Sequence, residues 1–390
     1  MQRLIAAVAF AMCCLSVSAF AATEMEIVVG ACSVLSGPNA RTGREQLRGV
    51  ELWIDETNTH GGLLGKKLKL VQCDDNANPE TSMRLYEQLI VQDKADFLIG
   101  SYGIEVAFAA AAVANRYAKP IIVPGPAPED LWNKGYRNVF GLSTPATSYM
   151  SDVLEFARRK DLRRIAIVYQ DSAFPRELAS GIKAKAAALG LRVVLEQTYE
   201  KEAADFAPVI AKLKIKHPDV IIVGSYVPDS IAFLRQLKEQ KIWARIIAFT
   251  GGASSSEFGN TLVLDAEGVL GGTPWEPMLK TNGVADFVRR FKTKYGYEPT
   301  YLAAAGYGAG QLLEAAAKRA GSVEADRLRR ALSELDTSTV FGRYKVDANG
   351  RQVGKPSLIV QWINGERELV LPDDVATSKI AYPFKDWGRR

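Results

Sequence analysis

Glu26-Ile-Val-Val-Gly30, Lys67-Leu-Lys-Leu-Val71, Asp96-Phe-Leu-Ile-Gly100 and Pro120-Ile-Ile-Val123 are short apolar runs, and the stretch from 26 to 123 that contains them decides the fold. Each run is too short for a buried helix and fits a strand buried on both faces. What lies between them is helical in pattern. Gly43 to Asn58 carries Val50, Leu52, Trp53 and Ile54; Asn78-Pro79-Glu80 opens a helix with Met83, Leu85, Leu89 and Ile90; Val106 to Tyr117 forms a third. Asn before Pro is a helix start, because the Asn side chain can accept a backbone N–H and proline tolerates the first helical position. Short strands alternating with helices of 10 to 15 residues predict a parallel sheet with helices on both faces.

Past Gly141-Leu-Ser-Thr-Pro145 the same unit repeats. A helix through Phe156 leads to strand Ile165–Tyr169, followed by helix 177–189, strand Arg192–Leu195, helix 205–215, strand Asp219–Val223, helix 229–240 and strand Ile246–Phe249. A second α/β lobe is expected. From Trp275 to Ala320 the chain is helical around 284–295 and 303–318 but supplies no further strand series. Those helices are expected to cover one of the existing lobes. If they return to the first, the chain crosses between lobes more than once, which makes a multi-strand hinge with a ligand-sized cleft. A chain of 390 residues exceeds what a single core usually spans, in keeping with two lobes.

The amino terminus reads as an export signal: Arg3, an apolar run from Leu4 to Leu15, and a small-x-small site at Ala19-Phe20-Ala21. Residues 1–21 are expected to be removed, leaving a soluble protein outside the cytoplasm. Arg3 is the one charged residue lost, so 48 basic face 44 acidic side chains. That small excess is scattered, without the basic patch and stacking aromatics that nucleic-acid binding requires. Cys32 and Cys73 remain, on early strands and in a compartment where disulfides persist. They are expected either bonded to each other or as two buried thiols.

Enzymatic motifs are absent. His60 and His217, the two histidines, sit beside Gly61-Gly62 and before Pro218, in turns. No Gly-x-Gly-x-x-Gly or Gly-x-x-x-x-Gly-Lys-Ser/Thr run follows a strand. No catalytic residue, metal ligand or cofactor is assigned. The strand ends carry a different pattern. Ligands of open α/β sheets sit outside the carboxyl ends of the strands. There the chain places Ser33, Ser36-Gly37, Ser101-Tyr102-Gly103-Ile104-Glu105, Pro124-Gly125-Pro126, Asp171-Ser172-Ala173-Phe174, Ser225-Tyr226 and Thr250-Gly251-Gly252. Small residues admit a close backbone, and Tyr102, Phe174 and Tyr226 can wall an apolar part of a ligand. Trp275, near an interlobe crossing, is a candidate either for that wall or for hinge packing.

Ordered along the chain are Leu35-Ser-Gly-Pro38, Asn58-Thr-His-Gly-Gly-Leu-Leu-Gly-Lys-Lys67, Asp74-Asp75 with Asn78-Pro79, Leu98-Ile-Gly100, Gly135-Tyr136 with Val139-Phe140, Gly296-Tyr-Glu-Pro299, and Gly342-Arg-Tyr-Lys-Val-Asp347 leading to Gln361-Trp362. In this order they resemble the periplasmic binding proteins of branched-chain amino acid type ABC transporters over about residues 25 to 372. The resemblance implies a type I periplasmic-binding fold. It places one lobe at 24–143 and 273–340 and the other at 144–272 and 341–380. It implies a monomeric periplasmic receptor, without cofactor, that hands a small solute to an inner-membrane ABC permease. Leucine-like ligands in this family are held by a serine where this chain has Ile104, an Ala-Thr or Ser-Thr pair where it has Pro126-Ala127, a tyrosine where it has Phe174, a tyrosine kept as Tyr226, and an acidic residue where it has Ala253. With those polar partners missing, an amino acid, an aromatic or other small carboxylate, and an amide are all open as solutes. A sensor or scavenger of the same fold and, further off, an exported α/β enzyme are the alternatives. The expected contacts are Ser101, Tyr102, Gly103, Ile104, Glu105, Gly125, Pro126, Ser172, Phe174, Tyr226, Thr250, Gly251 and Trp275.

Overall fold

The computed structural model describes residues 26–37, 39–125 and 127–389. The expected signal segment and Pro126 lie outside the described residues. The first sheet has the order β2-β1-β3-β4-β5, all parallel, from β1 (Ile27–Ser33), β2 (Leu68–Asp74), β3 (Phe97–Ile99), β4 (Ile121–Val123) and β5 (Val139–Gly141). Its helices are α1 (Ala40–Thr59), α2 (Pro79–Val91), α3 (Ile104–Arg116) and the short α4 (Glu129–Trp132). Asn78 caps α2 by accepting the Thr81 N–H at 2.9 Å, with Pro79 at the first helical position.

The second sheet has the order β14-β13-β10-β9-β8-β6-β7. Its parallel part is β6 (Arg164–Gln170), β7 (Arg192–Tyr199), β8 (Val220–Gly224), β9 (Ile246–Phe249) and β10 (Leu270–Thr273), with α5 (Ser151–Arg159), α6 (Ala173–Ala188), α7 (Ala207–Lys216), α8 (Val227–Glu239) and α9 (Ser256–Leu262) between them. The chain then returns to the first lobe as α10 (Val284–Tyr295), α11 (Tyr301–Ala320) and α12 (Ala325–Glu334). A small hairpin of β11 (Thr337–Thr339) and β12 (Gly342–Tyr344) follows, and finally β13 (Leu358–Ile363) and β14 (Glu366–Leu371) join the second sheet antiparallel.

Side chains alternate between two cores on each sheet. Along β1, Ile27, Val29 and Ala31 join the core with Phe287, Phe291 and Leu312 of α10 and α11, while Cys32 faces Tyr86 and Leu89 of α2. Along β8, Ile221 and Val223 face one core and Val220 and Ile222 the other. Both faces of the interior strands are therefore dry, the condition parallel sheets require, while the edge strands β2 and β7 are partly exposed. Cys32 and Cys73 face each other in register across β1 and β2 and are joined in a disulfide.

The lobes are linked where the chain passes from β5 to α5, from β10 to Trp275, and from Gly354 to β13. Thr144 on the first crossing donates to the Pro356 carbonyl on the third at 3.2 Å. The segment between β12 and the third crossing stays with the first lobe, where the Gly141 N–H donates to the Gly350 carbonyl at 2.8 Å and Tyr344 is buried in the first core. Only β13 and β14 of the stretch 341–380 enter the second sheet.

Candidate functional site: the cleft between the lobes

Ser101 and Tyr102 follow β3, and Gly103 turns the chain into α3 with φ 124°, a conformation open to glycine and strained for other residues. Helix α3 begins with no side-chain cap. The Tyr102 ring lies against the β4–α4 loop, where a Cβ on Gly125 would stand 3.7 Å from Tyr102 Cδ2. Its hydroxyl is 3.1 Å from that of Tyr301. Tyr301 arrives from 199 residues away because α11 packs parallel to α1 at backbone contact. A Cβ on Gly49 would fall 1.9 Å from the Ala303 carbonyl oxygen, and one on Gly306 would fall 2.0 Å from that of Gln46. Glycines at this seam bring the two helix starts level, and the α11 start points its first residue at the cleft.

In the second lobe the Tyr226 N–H donates to Asp229 at 2.8 Å, fixing the start of α8. The same carboxylate accepts from Tyr199 and from Gln170, and Gln170 in turn accepts from Ser172 at 2.9 Å. Ser230 donates to the Tyr226 carbonyl, and its oxygen lies 2.7 Å from that of Ser225. Thr250 donates to the Ser225 carbonyl at 2.7 Å and accepts its N–H at 3.0 Å. This mesh holds the Tyr226 side chain outward, 45% exposed. Beside it Tyr149, buried, receives the edge of Phe174 at 5.2 Å between centroids.

The rings of Tyr102 and Tyr301 from the first lobe and Tyr149 and Tyr226 from the second converge. Burial raises each phenol above its ordinary value, and the charge of neighbouring phenolates raises Tyr301 further through Tyr102, Tyr149 and Tyr226. All four stay neutral at neutral pH and can donate or accept hydrogen bonds. The nearest carboxyl groups are sunk beneath this surface. Asp75 is pushed up by burial, with the Ser101 hydroxyl pulling it back, and Asp229 is pushed up by burial against the pull of Tyr199. The cleft wall is thus made of phenols, small hydroxyls and helix-start N–H groups. Among the described residues no group of three or more His, Cys, Asp or Glu could hold a metal ion.

Ser101, Tyr102, Gly103, Gly125 and Tyr226 border this surface. Ile104 and Glu105 form the first turn of α3, with Glu105 exposed. Ser172 and Phe174 reach it through Gln170 and Tyr149. Thr250 has its hydroxyl consumed inside the second lobe, and Gly251 is exposed with open space around it. Trp275 is 1% exposed, donates its indole N–H to the Val340 carbonyl at 2.8 Å and stacks edge-on with Phe287. It packs the first core and the hinge and does not wall the cleft, because its one polar group is satisfied inside. Tyr149 and Tyr301 were not among the sequence candidates. The signal for Tyr301 was its place at a helix start just past Gly296-Tyr-Glu-Pro299; Tyr149 lies just past the first crossing, outside any strand end.

The chain matches the model of the family described as "Periplasmic binding protein" over residues 26–367, and it belongs to that family. It is 28% identical to the Leu/Ile/Val-binding protein homolog 7 of Brucella abortus (strain 2308), across 93% of this chain and 96% of that protein. Among solved structures it is similar to one from Silicibacter pomeroyi, with a TM-score of 0.84 at 22% identity over 93% of this chain and 100% of that one. Another is the branched-chain amino acid transporter substrate binding protein LivJ of Streptococcus pneumoniae in complex with isoleucine, with a TM-score of 0.75 at 22% identity over 89% and 100%. A third is an ABC transporter solute binding protein of Rhodopseudomonas palustris in complex with benzoate, with a TM-score of 0.74 at 23% identity over 91% and 99%. The protein is a two-lobed periplasmic solute-binding protein of the ABC transporter type.

Proposed function

We propose that the cleft captures a small carboxylate or amide with an apolar or aromatic body and that the closed, loaded protein delivers it to an inner-membrane ABC permease. The observation that carries this reading is the convergence of Tyr102, Tyr301, Tyr149 and Tyr226 from both lobes over an uncapped start of α3. An aromatic or branched body stacks among the rings, and its oxyanion or carbonyl accepts from the α3 N–H groups and from hydroxyls. A solute touched from both lobes favours the closed form, since only that form makes all its contacts.

A zwitterionic branched-chain amino acid is the second reading. It is favoured by the names of the Brucella relatives and by the isoleucine complex among the similar structures. Against it, the carboxyls nearest the cleft are buried at Asp75 and Asp229, and Glu105 alone is exposed at the α3 start. An ammonium group buried without an acceptor is expensive to desolvate.

The deciding experiment uses mature protein that has been unfolded and refolded to strip any carried ligand, tested with benzoate, leucine and benzamide by thermal shift and calorimetry. A ligand that binds the native state and not the unfolded one raises the transition temperature, by an amount that grows with the logarithm of its concentration over its dissociation constant. A shift with benzoate or benzamide and none with leucine supports the first reading. Micromolar binding of leucine overturns it. Deleting the gene should then abolish uptake of that solute; uptake unchanged with a lost cellular response to it would make the protein a sensor.

A further inference from the structure

Arg41, Arg44 and Arg48 occupy one face of α1, and with Glu45 and Tyr297 they line a cavity of about 160 Å³ on the first lobe. Spacings of three and four residues stack these guanidinium groups on adjacent turns, where like charges repel by ~0.2–0.5 kcal/mol per pair. Arg44 donates to the Leu35 carbonyl at 3.0 Å; Arg48 donates to the Tyr297 hydroxyl and lies over the rings of Tyr295 and Tyr297 at 5.1 and 5.5 Å. Arg41 is exposed and has no hydrogen bond, ion pair or ring contact among the described residues. Among the described residues, none of the three is within ion-pair distance of a carboxylate, in contrast to Arg343 with Asp336 or Arg367 with Glu276. Glu45, 3% exposed, accepts from Thr300 and contributes one negative charge to the lining; the carboxylate of Glu51 is engaged by Tyr295. The lining therefore carries a net charge of about +2 around a formed hollow.

We propose that this pocket is a binding site for a tetrahedral oxyanion of the phosphate class, separate from the solute cleft. Guanidinium forks match the oxygens of such an anion in paired hydrogen bonds, and the Tyr297 hydroxyl adds a further donor. Three forks supply more donors than the two oxygens of a carboxylate can use, whereas a phosphate offers acceptors to all three. The pocket adjoins the first-lobe side of the cleft through Thr300, which donates to Glu45, and its neighbour Tyr301, which meets Tyr102. The phosphate comes either free from solution or as a lipid headgroup, and both present the same chemistry.

The test titrates inorganic phosphate into stripped mature protein at constant ionic strength, followed by phosphorus NMR and thermal shift, and in parallel measures co-flotation with vesicles of phosphatidylglycerol and of phosphatidylcholine. The variants are Arg41→Gln/Arg44→Gln, with Arg343→Gln as a control for loss of charge elsewhere. Saturable phosphate binding, weakened at least ~10-fold in the double variant and unchanged in the control, establishes a free-anion site. Flotation with phosphatidylglycerol alone, lost in the double variant, establishes a headgroup site. Absence of both, or binding equal in wild type and double variant, overturns the proposal. The altered side chains are at the surface, so an unchanged melting temperature in phosphate-free buffer verifies that the variants fold, and none of these readouts depends on which solute fills the cleft.

Discussion

The two rims of the cleft are built from the same parts and finished differently. In the second lobe the polar groups at the strand ends satisfy one another: Ser225, Asp229, Ser230 and Thr250 all have protein partners, and Tyr199 and Gln170 complete the mesh. In the first lobe Ser33 Oγ, Ser101 Oγ and Asp75 Oδ2 are buried without a well-formed hydrogen bond among the described residues, Ser101 acting on Asp75 only weakly, and α3 starts without a side-chain cap. The second rim is rigid before a solute arrives and presents aromatic faces. The first leaves hydrogen-bonding capacity unfilled just beneath its surface. A buried polar atom without a partner forfeits free energy that a ligand's partner group can recover, and a preformed mesh lowers the ordering cost of binding.

The largest expected effect follows from breaking the finished rim. Asp229→Ala leaves the Tyr226 N–H, the Tyr199 hydroxyl and Gln170 without their acceptor, and should destabilise the protein by about 3–5 kcal/mol and abolish solute binding. Asp75→Asn, on the unfinished rim, should change stability by less than about 1 kcal/mol, because one of its oxygens has no partner to lose. Denaturant unfolding of the two variants compares the rims directly, and equal losses would dissolve the contrast.

Next is the crossing that joins them. Glu276, 3% exposed beside Trp275, pairs with Arg367 of β14 at 3.2 Å, and burial pushes its carboxyl up to about 7, the guanidinium pulling it back in part. A carboxyl raised in the folded state binds a proton that the unfolded chain releases near its ordinary value. The resulting stability is complete below pH ~4.5 and is lost as pH rises through ~7, on the order of 2–3 kcal/mol. Glu276→Gln should remove that fall, so the variant gains on wild type between pH ~5 and ~8 in unfolding experiments. A parallel pH profile in both proteins would show that the carboxyl titrates normally.

Smaller still is Ser101→Ala. It should weaken solute binding about tenfold while leaving stability unchanged or slightly higher, since it deletes a buried hydroxyl with no well-formed hydrogen bond. Thr250→Val should do the reverse, costing about 1–2 kcal/mol of stability through Ser225 with little direct effect on the solute. The smallest effect belongs to Tyr226→Phe, which keeps the ring and removes one hydroxyl beside Ser172. A change of affinity below about threefold would assign the residue to stacking, and a larger one to hydrogen bonding.

The alternation of apolar runs with helices was legible because strands buried on both faces need unbroken apolar runs, and their covering helices have a different period. The boundaries moved by a few residues: α1 begins at Ala40 and not Gly43, α6 at Ala173 and not near 177, and β7 extends to Tyr199. The later strands were harder. β5 (Val-Phe-Gly) and β10 (Leu-Gly-Gly-Thr) carry glycine in place of the unbroken apolar runs that marked β3 and β4. The β13–β14 hairpin does carry a local signal, Asn364-Gly365 with both residues at positive φ, as two-residue hairpin turns require. At the site, Tyr102 and Tyr226 were visible because each directly follows a strand of its own lobe. Tyr149 and Tyr301 come from a hinge exit and from a helix far along the chain, so their place in the cleft depends on the seam of α1 and α11 and on how the crossings set one lobe against the other.

The sequence by itself determined the family and the two α/β lobes, because these follow from local periodicity and from motifs read in order along the chain. Only the tertiary structure decided which strand-end groups have their hydrogen bonds filled within the protein. Thr250 and Ser225 look as available in the sequence as Ser101, yet the first two spend their hydrogen bonds on each other while the Ser101 hydroxyl makes no well-formed hydrogen bond among the described residues. Trp275 looks like a cleft aromatic and is a packed one. Hydrogen-bond satisfaction is a property of neighbours in space, and residues such as Tyr102 and Tyr301, 199 positions apart, become neighbours only when helices and crossings bring them together.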